Sequence, residues 1–303
     1  MQKDLLKLLD YSREEIEEIL NIADQLKYEQ KNGIPHSFPR GKTLAMIFEK
    51  SSTRTRVSFE VGMFQLGGHA LFLSSSASQM GRGEPIADTA RTLARYCDGI
   101  MIRTYAHETV EELAHYADIP VINGLTDRYH PCQVLADLMT IREYKTHLAG
   151  LKLCYIGDGN NMANSLIVGG LKCGLDVSVA CPEGYGPHEE ALAFAAAVTD
   201  AKFTLTTDPK AAAAGADVII TDVWASMGQE EEAEKRKIAF AGYQINDELM
   251  ALTAPGCMVQ HCLPAKKGQE ITESVFEAHA QEIFDEAENR LHAQKAVMYL
   301  LMG

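Results

Sequence analysis

The residues best suited to chemistry stand in one stretch, residues 43–60, with the sequence TLAMIFEKSSTRTRVSFE. An apolar run typical of a buried strand comes first, a polar turn follows at 51–55, and a helical pattern starts at Arg56. The first N–H groups of a helix lack internal partners and lie at the positive end of its dipole. Hydroxyl and guanidinium groups beside them match phosphate oxygens. The stretch predicts an anion-binding cradle, and the alternative is a helix cap with an exposed arginine.

Further polar clusters follow other predicted strands. Because ligands of open α/β sheets bind at the carboxyl ends of strands, we expect these clusters to form the binding sites. The clusters of the first half suit a phosphate and a carbonyl, and those of the second half suit an amino acid, which predicts a two-substrate transferase with a phosphorylated donor. The clusters are Arg103-Thr104, His130-Pro131-Cys132-Gln133, Gly157-Asp158-Gly159-Asn160-Asn161, Asp222 to Gly228 (DVWASMG) and His261-Cys262-Leu263-Pro264.

Single motifs leave alternatives open. The sequence GDGNN half-matches a dinucleotide fingerprint, but Met162 occupies the third glycine position, so cofactor binding is the minor interpretation. The alternatives are a glycine turn with an asparagine cap and an Asn161 amide that points at a ligand. His130 lies two residues before Cys132, and no second ligand pair has suitable spacing, which argues against a metal. Asp222 is a candidate for holding a cationic group. Cys262 is either a tuned thiol beside a polar pocket or an inert buried cysteine.

Strands alternate with helices along two stretches of the chain, which predicts an α/β fold with two doubly wound parallel-sheet domains joined by long interdomain helices. A boundary at 147–150 separates the domains, 1–147 and 148–285, and a C-terminal helix, 286–303, packs back on the first. The predicted strands are 43–48, 70–73, 99–103, 120–122, 151–156, 176–181, 202–206, 217–221 and 257–261. The predicted helices are 12–32, 56–66, 85–97, 108–117, 131–146, 162–173, 188–199, 272–283 and 286–302, and 229–237 is a solvated helix or lid.

The composition and net charge argue against some classes of binding partner. The 303 residues carry a net charge of −14, which argues against nucleic acid and anionic membranes. We expect neither a signal peptide, because the N-terminus is polar, nor a membrane span, because no apolar run approaches about 20 residues. Seven cysteines without CxxC spacing indicate reduced thiols in a cytoplasmic protein. In an acidic chain, the basic SSTRTR cluster indicates a dedicated anionic ligand.

These motifs resemble a known family. The sequences STRTR and HPCQ resemble the aspartate/ornithine carbamoyltransferases, and DVWASMG with HCLPA is similar to the ornithine carbamoyltransferases in particular. The resemblance runs along essentially the whole chain in the same order. It implies that carbamoyl phosphate binds to the first domain and L-ornithine to the second. It also implies arginine biosynthesis, a homotrimer with active sites at subunit interfaces, and catalysis without cofactor or metal.

The resemblance also implies roles for single residues. It places the carbamoyl phosphate contacts at Ser52, Thr53, Arg54, Thr55, Gln79, Arg103, His130, Gln133, Cys262, Leu263 and Arg290, with Gln79 reaching a neighbouring subunit's site. It places the ornithine contacts at Asn161, Asp222, Ser226 and Met227. Arg103, His130, Asp222 and Cys262 are its catalytic residues, and Cys262 is the family's proposed proton-handling group.

The sequence departs from the family's pattern at one place, and several other functions compete with the one that the resemblance implies. The segment HCLPA continues with Lys266-Lys267, where the family more often has an aromatic residue or histidine followed by arginine. Putrescine or N-acetylornithine therefore stays an alternative acceptor, whereas aspartate would need cationic groups where Asp222 stands. A nucleotide-dependent oxidoreductase and a non-catalytic relative are functions of other classes. The second would show broken donor motifs, yet Ser52, Arg103 and His130 are all present.

Overall fold

The computed structural model describes residues 2–75, 79–225 and 232–303, and within them the chain forms two compact units. Unit 1 is Met1–Met139 together with Asn289–Gly303, and unit 2 is Thr140–Glu288. Two long helices, α5 (Pro131–Lys145) and α12 (Ala280–Met302), each contribute residues to both units. No helix among the described residues is long and apolar enough to cross a membrane.

Unit 1 is built on a parallel sheet whose strand order is β2-β1-β3-β4. The order changes direction between β1 and β3, which are also the most buried strands, whereas the edge strand β2 is half-exposed. The strands are β1 (Thr43–Phe48), β2 (His69–Ser74), β3 (Gly99–Arg103) and β4 (Val121–Leu125). The helices that precede α5 are α1 (Arg13–Lys31), α2 (Thr53–Gln65), α3 (Ile86–Leu93) and α4 (His107–Tyr116).

Unit 2 has the same architecture, with a parallel sheet in the order β7-β6-β5-β8-β9 and a change of direction between β5 and β8. Its strands are β5 (Lys152–Ile156), β6 (Asp176–Ala180), β7 (Phe203–Thr206), β8 (Val218–Thr221) and β9 (Met258–His261). Its helices are α6 (Asn161–Lys172), α7 (Glu189–Ala197), α8 (Pro209–Ala213), α9 (Ala233–Ala239), α10 (Asp247–Met250) and α11 (Glu273–Ala278). The predicted fold class is thus confirmed.

Most predicted elements agree with the structure to within a few residues. At α1, Ser12 and Glu15 form the expected capping box: the Ser12 N–H donates to Glu15 Oε2 at 2.9 Å and the Glu15 N–H donates to Ser12 Oγ at 3.2 Å. The buried residues of α1 then follow helical spacing, which explains why pattern alone located this helix.

Several predicted boundaries were wrong for local reasons. Helix α2 begins at Thr53 rather than Arg56, because Ser52 caps it. Helix α3 ends at Leu93 rather than residue 97. The sequence did not predict α8 or α10, which are too short to show a period. The bounds of the last two helices also differ from the prediction. Helix α11 ends at Ala278 rather than at residue 283, and α12 begins at Ala280 rather than at residue 286.

The acidic stretch 229–237 is only partly described, since 229–231 lie outside the described residues. The expected helix is present as α9 and most of it is exposed, but Arg236 is buried. Its Nη1 donates to Asp158 Oδ2 at 2.6 Å and to the Trp224 carbonyl at 3.0 Å. A buried guanidinium requires such partners, so α9 is held to unit 2 by a charge pair that hydrophobic patterning does not show.

Candidate active site

The first cluster of functional side chains lies at the switch point of unit 1. Strands β1 and β3 are neighbours there, and both carry polar residues just beyond or at their carboxyl ends. Ser52 follows β1 and caps α2, so the N-terminus of this helix, where its dipole is positive, lies at this edge of the sheet. Arg103 is the last residue of β3 and is buried. The cradle predicted at residues 51–55 is therefore a capped helix N-terminus at the position where open α/β sheets bind ligands.

Thr55 has a defined hydrogen-bonding state. Its N–H donates to Ser52 Oγ at 3.2 Å, and the Ser52 hydroxyl donates back to Thr55 Oγ1 at 3.1 Å. Arg290 Nη2 also donates to Thr55 Oγ1, at 3.4 Å. Since a hydroxyl has one hydrogen to donate and Oγ1 already accepts twice, the hydrogen of Thr55 is directed away from both partners. Thr55 can thus donate to an anion at the cradle.

Arg290 on α12 is the centre of a buried network. Its Nη1 donates to Gln133 Oε1 at 2.6 Å and its Nε donates to Gln294 Oε1 at 2.9 Å. Gln294 Nε2 in turn donates to Ser58 Oγ on α2, at 2.7 Å. The family resemblance indicated Arg290 and Gln133 but neither Ser58 nor Gln294. Their only sequence signal is the spacing of Gln294 four residues after Arg290, one helical turn.

His130 is kept neutral by its surroundings. It is buried, and burial together with the positive charges of Arg290, Arg103 and Arg54 lowers the pKa of its imidazole well below the ordinary value of 6.5. A neutral imidazole has one N–H donor and one acceptor nitrogen. His130 can therefore donate a hydrogen bond to a carbonyl oxygen without adding charge.

Glu49 and Lys50, which sequence reasoning missed, connect the loops of this cluster. The Thr104 hydroxyl donates to the Glu49 carboxylate, and the Lys50 ammonium binds the Asp127 carboxylate. Lys50 is buried and also lies 4.2 Å from the centre of the Tyr105 ring. These contacts join the segment after β1 to the segments that follow Arg103 and precede His130. Partners so distant in the chain give no local signal.

The second cluster lies at the switch point of unit 2, where β5 and β8 are paired with Ile156 opposite Thr221. Asp222 follows β8, and Asn160 Nδ2 donates to its Oδ2 at 3.1 Å. Cys262 follows β9, and its thiol donates to Asp222 Oδ1 at 3.1 Å. The structure thus brings together Asp222 and Cys262, which the resemblance had selected, and adds Asn160, which the sequence had presented only as a glycine-turn cap.

The other predicted residues of unit 2 have different positions. Asn161 is the first residue of α6 and is buried. The Leu263 N–H donates to His261 Nδ1 at 2.9 Å, and the role of Leu263 toward a carbamoyl group stays a prediction. Ser226 and Met227 lie outside the described residues. Lys267 binds the Glu277 carboxylate and lies 4.4 Å from the Phe276 ring centre.

Three predicted donor-site residues of unit 1 remain to be placed. Thr53 and Arg54 are the first two residues of α2, and the carbonyl of Arg54 accepts from Ser58 Oγ at 2.6 Å. Gln79 precedes a short 3-10 helix, Met80–Arg82. The roles of all three stay predictions.

Across the residues that the structure describes, no group of three or more histidine, cysteine or acidic side chains is arranged to hold a metal ion.

Gly159 argues against the dinucleotide interpretation on geometry. A Cβ atom at this position would lie 2.2 Å from the Gly186 carbonyl carbon and 2.4 Å from the Pro187 nitrogen. The Gly159 N–H also donates to the Tyr185 carbonyl at 2.8 Å. In a dinucleotide fingerprint, the second glycine allows a pyrophosphate to approach the backbone. Here the backbone of residues 186–187 fills that space, so the glycine serves internal packing.

Comparisons with known proteins identify the family of the chain. Two family models match: the aspartate/ornithine carbamoyltransferase carbamoyl-P binding domain over residues 3–143, and the Asp/Orn binding domain over residues 149–301. The fold and the two clusters define the class of two-substrate α/β transferases. The chain belongs to the aspartate/ornithine carbamoyltransferase family.

Within that family, this chain is similar over its full length to proteins named ornithine carbamoyltransferase. An ornithine carbamoyltransferase of Syntrophotalea carbinolica is 58% identical over 100% of both chains, and that of Pelobacter propionicus is 57% identical over 100% of this chain and 99% of that one. The solved ornithine carbamoyltransferase of Pyrococcus furiosus is 55% identical with a TM-score of 0.94, over 99% of this chain and 97% of that one. The anabolic enzyme of Campylobacter jejuni is 44% identical with a TM-score of 0.93, over 99% of each chain.

Proposed function

We propose that this protein transfers the carbamoyl group of carbamoyl phosphate to the δ-amine of L-ornithine, giving L-citrulline and phosphate. The observation that carries the proposal is the set of charges at the two switch points. Unit 1 places hydroxyls and arginines at one, and unit 2 places the Asp222 carboxylate at the other. An anionic donor and a cationic acceptor fit that pair. The full-length ornithine carbamoyltransferase relatives support the same reaction.

In the donor site, the α2 N-terminus and the side chains of residues 52–55 bind the phosphate, and Arg290 completes the contacts. Gln133 faces the carbamoyl NH2 group. As charge develops on the carbamoyl oxygen, Thr55, Arg103 and neutral His130 donate to it. Losing one such donor typically costs about 10²–10³ in rate. Because the donors are already fixed by burial and hydrogen bonds, little reorganisation is needed during the reaction.

In the acceptor site, Asp222 holds the cationic amine, and Asn161, Ser226 and Met227 bind the rest of ornithine. The δ-amine has a reference pKa like that of lysine, about 10.4, and attacks only after losing a proton. Cys262, whose thiol donates a hydrogen bond to Asp222, helps to position the amine for that loss, and the proton passes to solvent. The C–N bond forms, the bond from carbon to the phosphate oxygen breaks, and phosphate leaves with the electron pair and takes up the second proton that the attacking nitrogen releases. Positioning and electrostatics supply the rate gain without a covalent intermediate.

Membership of the family supports a division of labour between two domains and an assembly of several subunits. Residues 1–147 with 286–303 form the carbamoyl phosphate domain, and 148–285 form the ornithine domain. A homotrimer, in which Gln79 would reach a neighbouring subunit's site, is supported by exposed apolar residues in unit 1. They are Val57, Val61 and Phe64 on α2, and Leu71 and Phe72 on the edge strand β2. We further propose that the enzyme acts in the cytoplasm, in arginine biosynthesis.

The decisive experiment measures citrulline from carbamoyl phosphate and L-ornithine, with putrescine, N-acetylornithine and aspartate in parallel. We expect turnover with ornithine far above that with the other amines. Turnover with another amine only would retain the donor site and overturn the acceptor assignment, and no turnover with any of them would overturn the function. Arg54→Ala is expected to raise the KM for carbamoyl phosphate at least tenfold, and unchanged kinetics would remove Arg54 from the donor site.

A further inference from the structure

Asn160 has a side-chain orientation that the structure determines without ambiguity. Its Oδ1 accepts from the backbone N–H groups of Met162 at 2.9 Å and Ala163 at 3.4 Å. Backbone N–H groups only donate, so the atom facing them must be the amide oxygen. The amide nitrogen then has to face the other way, where it donates to Asp222 Oδ2 at 3.1 Å.

Tyr155 holds the side-chain amide of Asn160 in place through the amide oxygen. Its hydroxyl donates to Asn160 Oδ1 at 3.3 Å, and its ring is fully buried in β5. Burial and the negative charge of Asp222 raise the pKa of Tyr155 well above its ordinary value of 10, so the hydroxyl keeps its proton as a donor.

The Asp222 carboxylate is thereby oriented by three donors. Oδ1 accepts from the Val223 N–H at 2.8 Å and from the Cys262 thiol at 3.1 Å, whereas Oδ2 accepts from Asn160. Each carboxylate oxygen has two lone pairs. Among the described residues, Oδ2 is the less occupied oxygen, and Asn160 determines where its remaining lone pair points.

Sheet register places the two residues next to each other. Ile156 is opposite Thr221 at the carboxyl ends of β5 and β8, so Asp222 directly follows one strand while Asn160 lies in the turn after the other. Both positions are supported by regular structure, the sheet on one side and the N-terminus of α6 on the other. An oriented pair of this kind is rigid before substrate arrives, which is the condition for selective binding of an amine.

We propose that Asn160, secured by Tyr155, is a positioning residue that aims the Asp222 carboxylate at the acceptor's amine and so sets acceptor affinity independently of donor affinity. The inference rests on the proposed function, in which Asp222 holds that amine. It assigns Asn160 a role beyond capping α6. The cap and the positioning role use different atoms of one side chain, Oδ1 and Nδ2, and are therefore separable by mutation.

The test uses Asn160→Ser in the full-length enzyme. Serine is as good an N-cap as asparagine, but it lacks the amide nitrogen that reaches Asp222. A tenfold loss of affinity corresponds to about 1.4 kcal/mol, which is the order of one hydrogen bond to a charged group. We expect the KM for ornithine to rise at least about tenfold while the KM for carbamoyl phosphate and the melting temperature change little. Tyr155→Phe, which removes only the hydroxyl, should raise the ornithine KM less.

Asn246→Ser is the matched control. Asn246 is also an asparagine N-cap in unit 2, and its Oδ1 accepts from the Leu249 N–H at 2.9 Å at the start of α10. It should leave both KM values unchanged. A purely structural role of Asn160 predicts that the two serine variants behave alike, and that result would overturn the inference.

The Asp222→Asn variant distinguishes a wrong positioning role of Asn160 from a wrong proposed function. If Asp222→Asn loses ornithine affinity and Asn160→Ser does not, the proposed function stands and the positioning role is wrong. If Asp222→Asn binds ornithine normally, the assignment of Asp222 itself is wrong. A wild-type protein that makes no citrulline would overturn the proposed reaction before any variant is measured.

Discussion

Arg290 Nη1 donates to Gln133 Oε1 across 2.6 Å, although 157 positions separate the two residues in the chain. Gln133 Nε2 donates in turn to Asp137 Oδ1 at 2.8 Å, so the amide is held at both ends. This contact ties α12 to the start of α5 within unit 1. The geometry of the proposed donor site thus depends on the last helix of the chain as much as on the cradle at residues 51–55.

The first prediction follows from the shape of the Arg290 guanidinium. It serves Thr55, Gln133 and Gln294 with three different nitrogens, and a lysine ammonium cannot reproduce that planar fork. We expect Arg290→Lys to raise the KM for carbamoyl phosphate at least about tenfold, through the loss of charge-assisted hydrogen bonds worth about 1.5–3 kcal/mol each. Steady-state kinetics at varied carbamoyl phosphate measure the change.

Arg91→Lys is a control for the same substitution. Arg91 is 60% exposed and pairs only loosely with Asp88, at 3.5 Å. Its replacement should leave the kinetics unchanged. If Arg290→Lys binds carbamoyl phosphate as tightly as Arg91→Lys does, Arg290 has no part in the donor site.

The second prediction concerns pH. The pKa of His130 is lowered well below 6.5 by burial and by three arginines, so the imidazole is already neutral at pH 6.5 and remains so as pH rises. We expect its ring carbon resonances in an NMR titration to stay constant between about pH 6.5 and 8. An exposed histidine titrates in that range and provides the internal comparison. A His130 shift that moves with an apparent pKa near 6.5 would contradict the assignment.

Sequence reasoning recovered the fold because most of the strands and the longer helices carry a local signal. Strand β1 is an apolar run, α1 has a capping box and helical spacing, and both domains show the alternation that forces a parallel sheet. The residues at strand ends could then be selected by the rule that ligands bind there. The family resemblance extended this to Arg290, whose place in the site no periodicity indicates.

The rest was not predictable because it depends on contacts between distant segments. Lys50 is an ordinary polar residue in the sequence, and only the fold buries it between Asp127 and Tyr105. Arg236 stands in an acidic stretch that patterning presents as solvated, yet it is paired with Asp158. Asn160 has two roles at once, and the sequence shows only the capping role.

The third prediction tests why Gly159 is a glycine. A Cβ there would lie 2.2–2.6 Å from three backbone atoms of residues 186–187, and backbone cannot move away as a flexible side chain can. We expect Gly159→Ala to destabilise unit 2 by about 1–3 kcal/mol, the usual cost of overpacking. Denaturant unfolding of the purified variant measures the loss.

Gly186→Ala is the corresponding control on the other side of the contact. An added Cβ at Gly186 meets nothing within 4 Å. Its stability should remain near that of the wild type. Equal stability of the two alanine variants would show that the 157–159 turn can yield, and would remove the geometric argument against a bound dinucleotide.

The last prediction concerns Lys295, a fully buried lysine on α12. Its ammonium donates to Gln30 Oε1 at 2.9 Å and lies 3.0 Å from His36 Nε2. The other ring nitrogen of His36 lies 2.8 Å from Glu29 Oε2. Burial lowers the pKa of Lys295 from 10.5 to about 8, although the charge of Glu29 opposes the shift.

The sign of the stability effect follows from this shift. Between pH 8 and 10.5 the unfolded chain keeps the Lys295 proton while the folded chain has lost it, so the unfolded state binds more protons. The free energy of unfolding therefore gains a contribution that increases with pH across that window. Lys295→Met keeps the length of the stem and removes the titrating group, so the variant should lack this contribution. Denaturant unfolding of both proteins at pH 7, 8, 9 and 10 measures the difference, and parallel pH dependences for wild type and variant would contradict it.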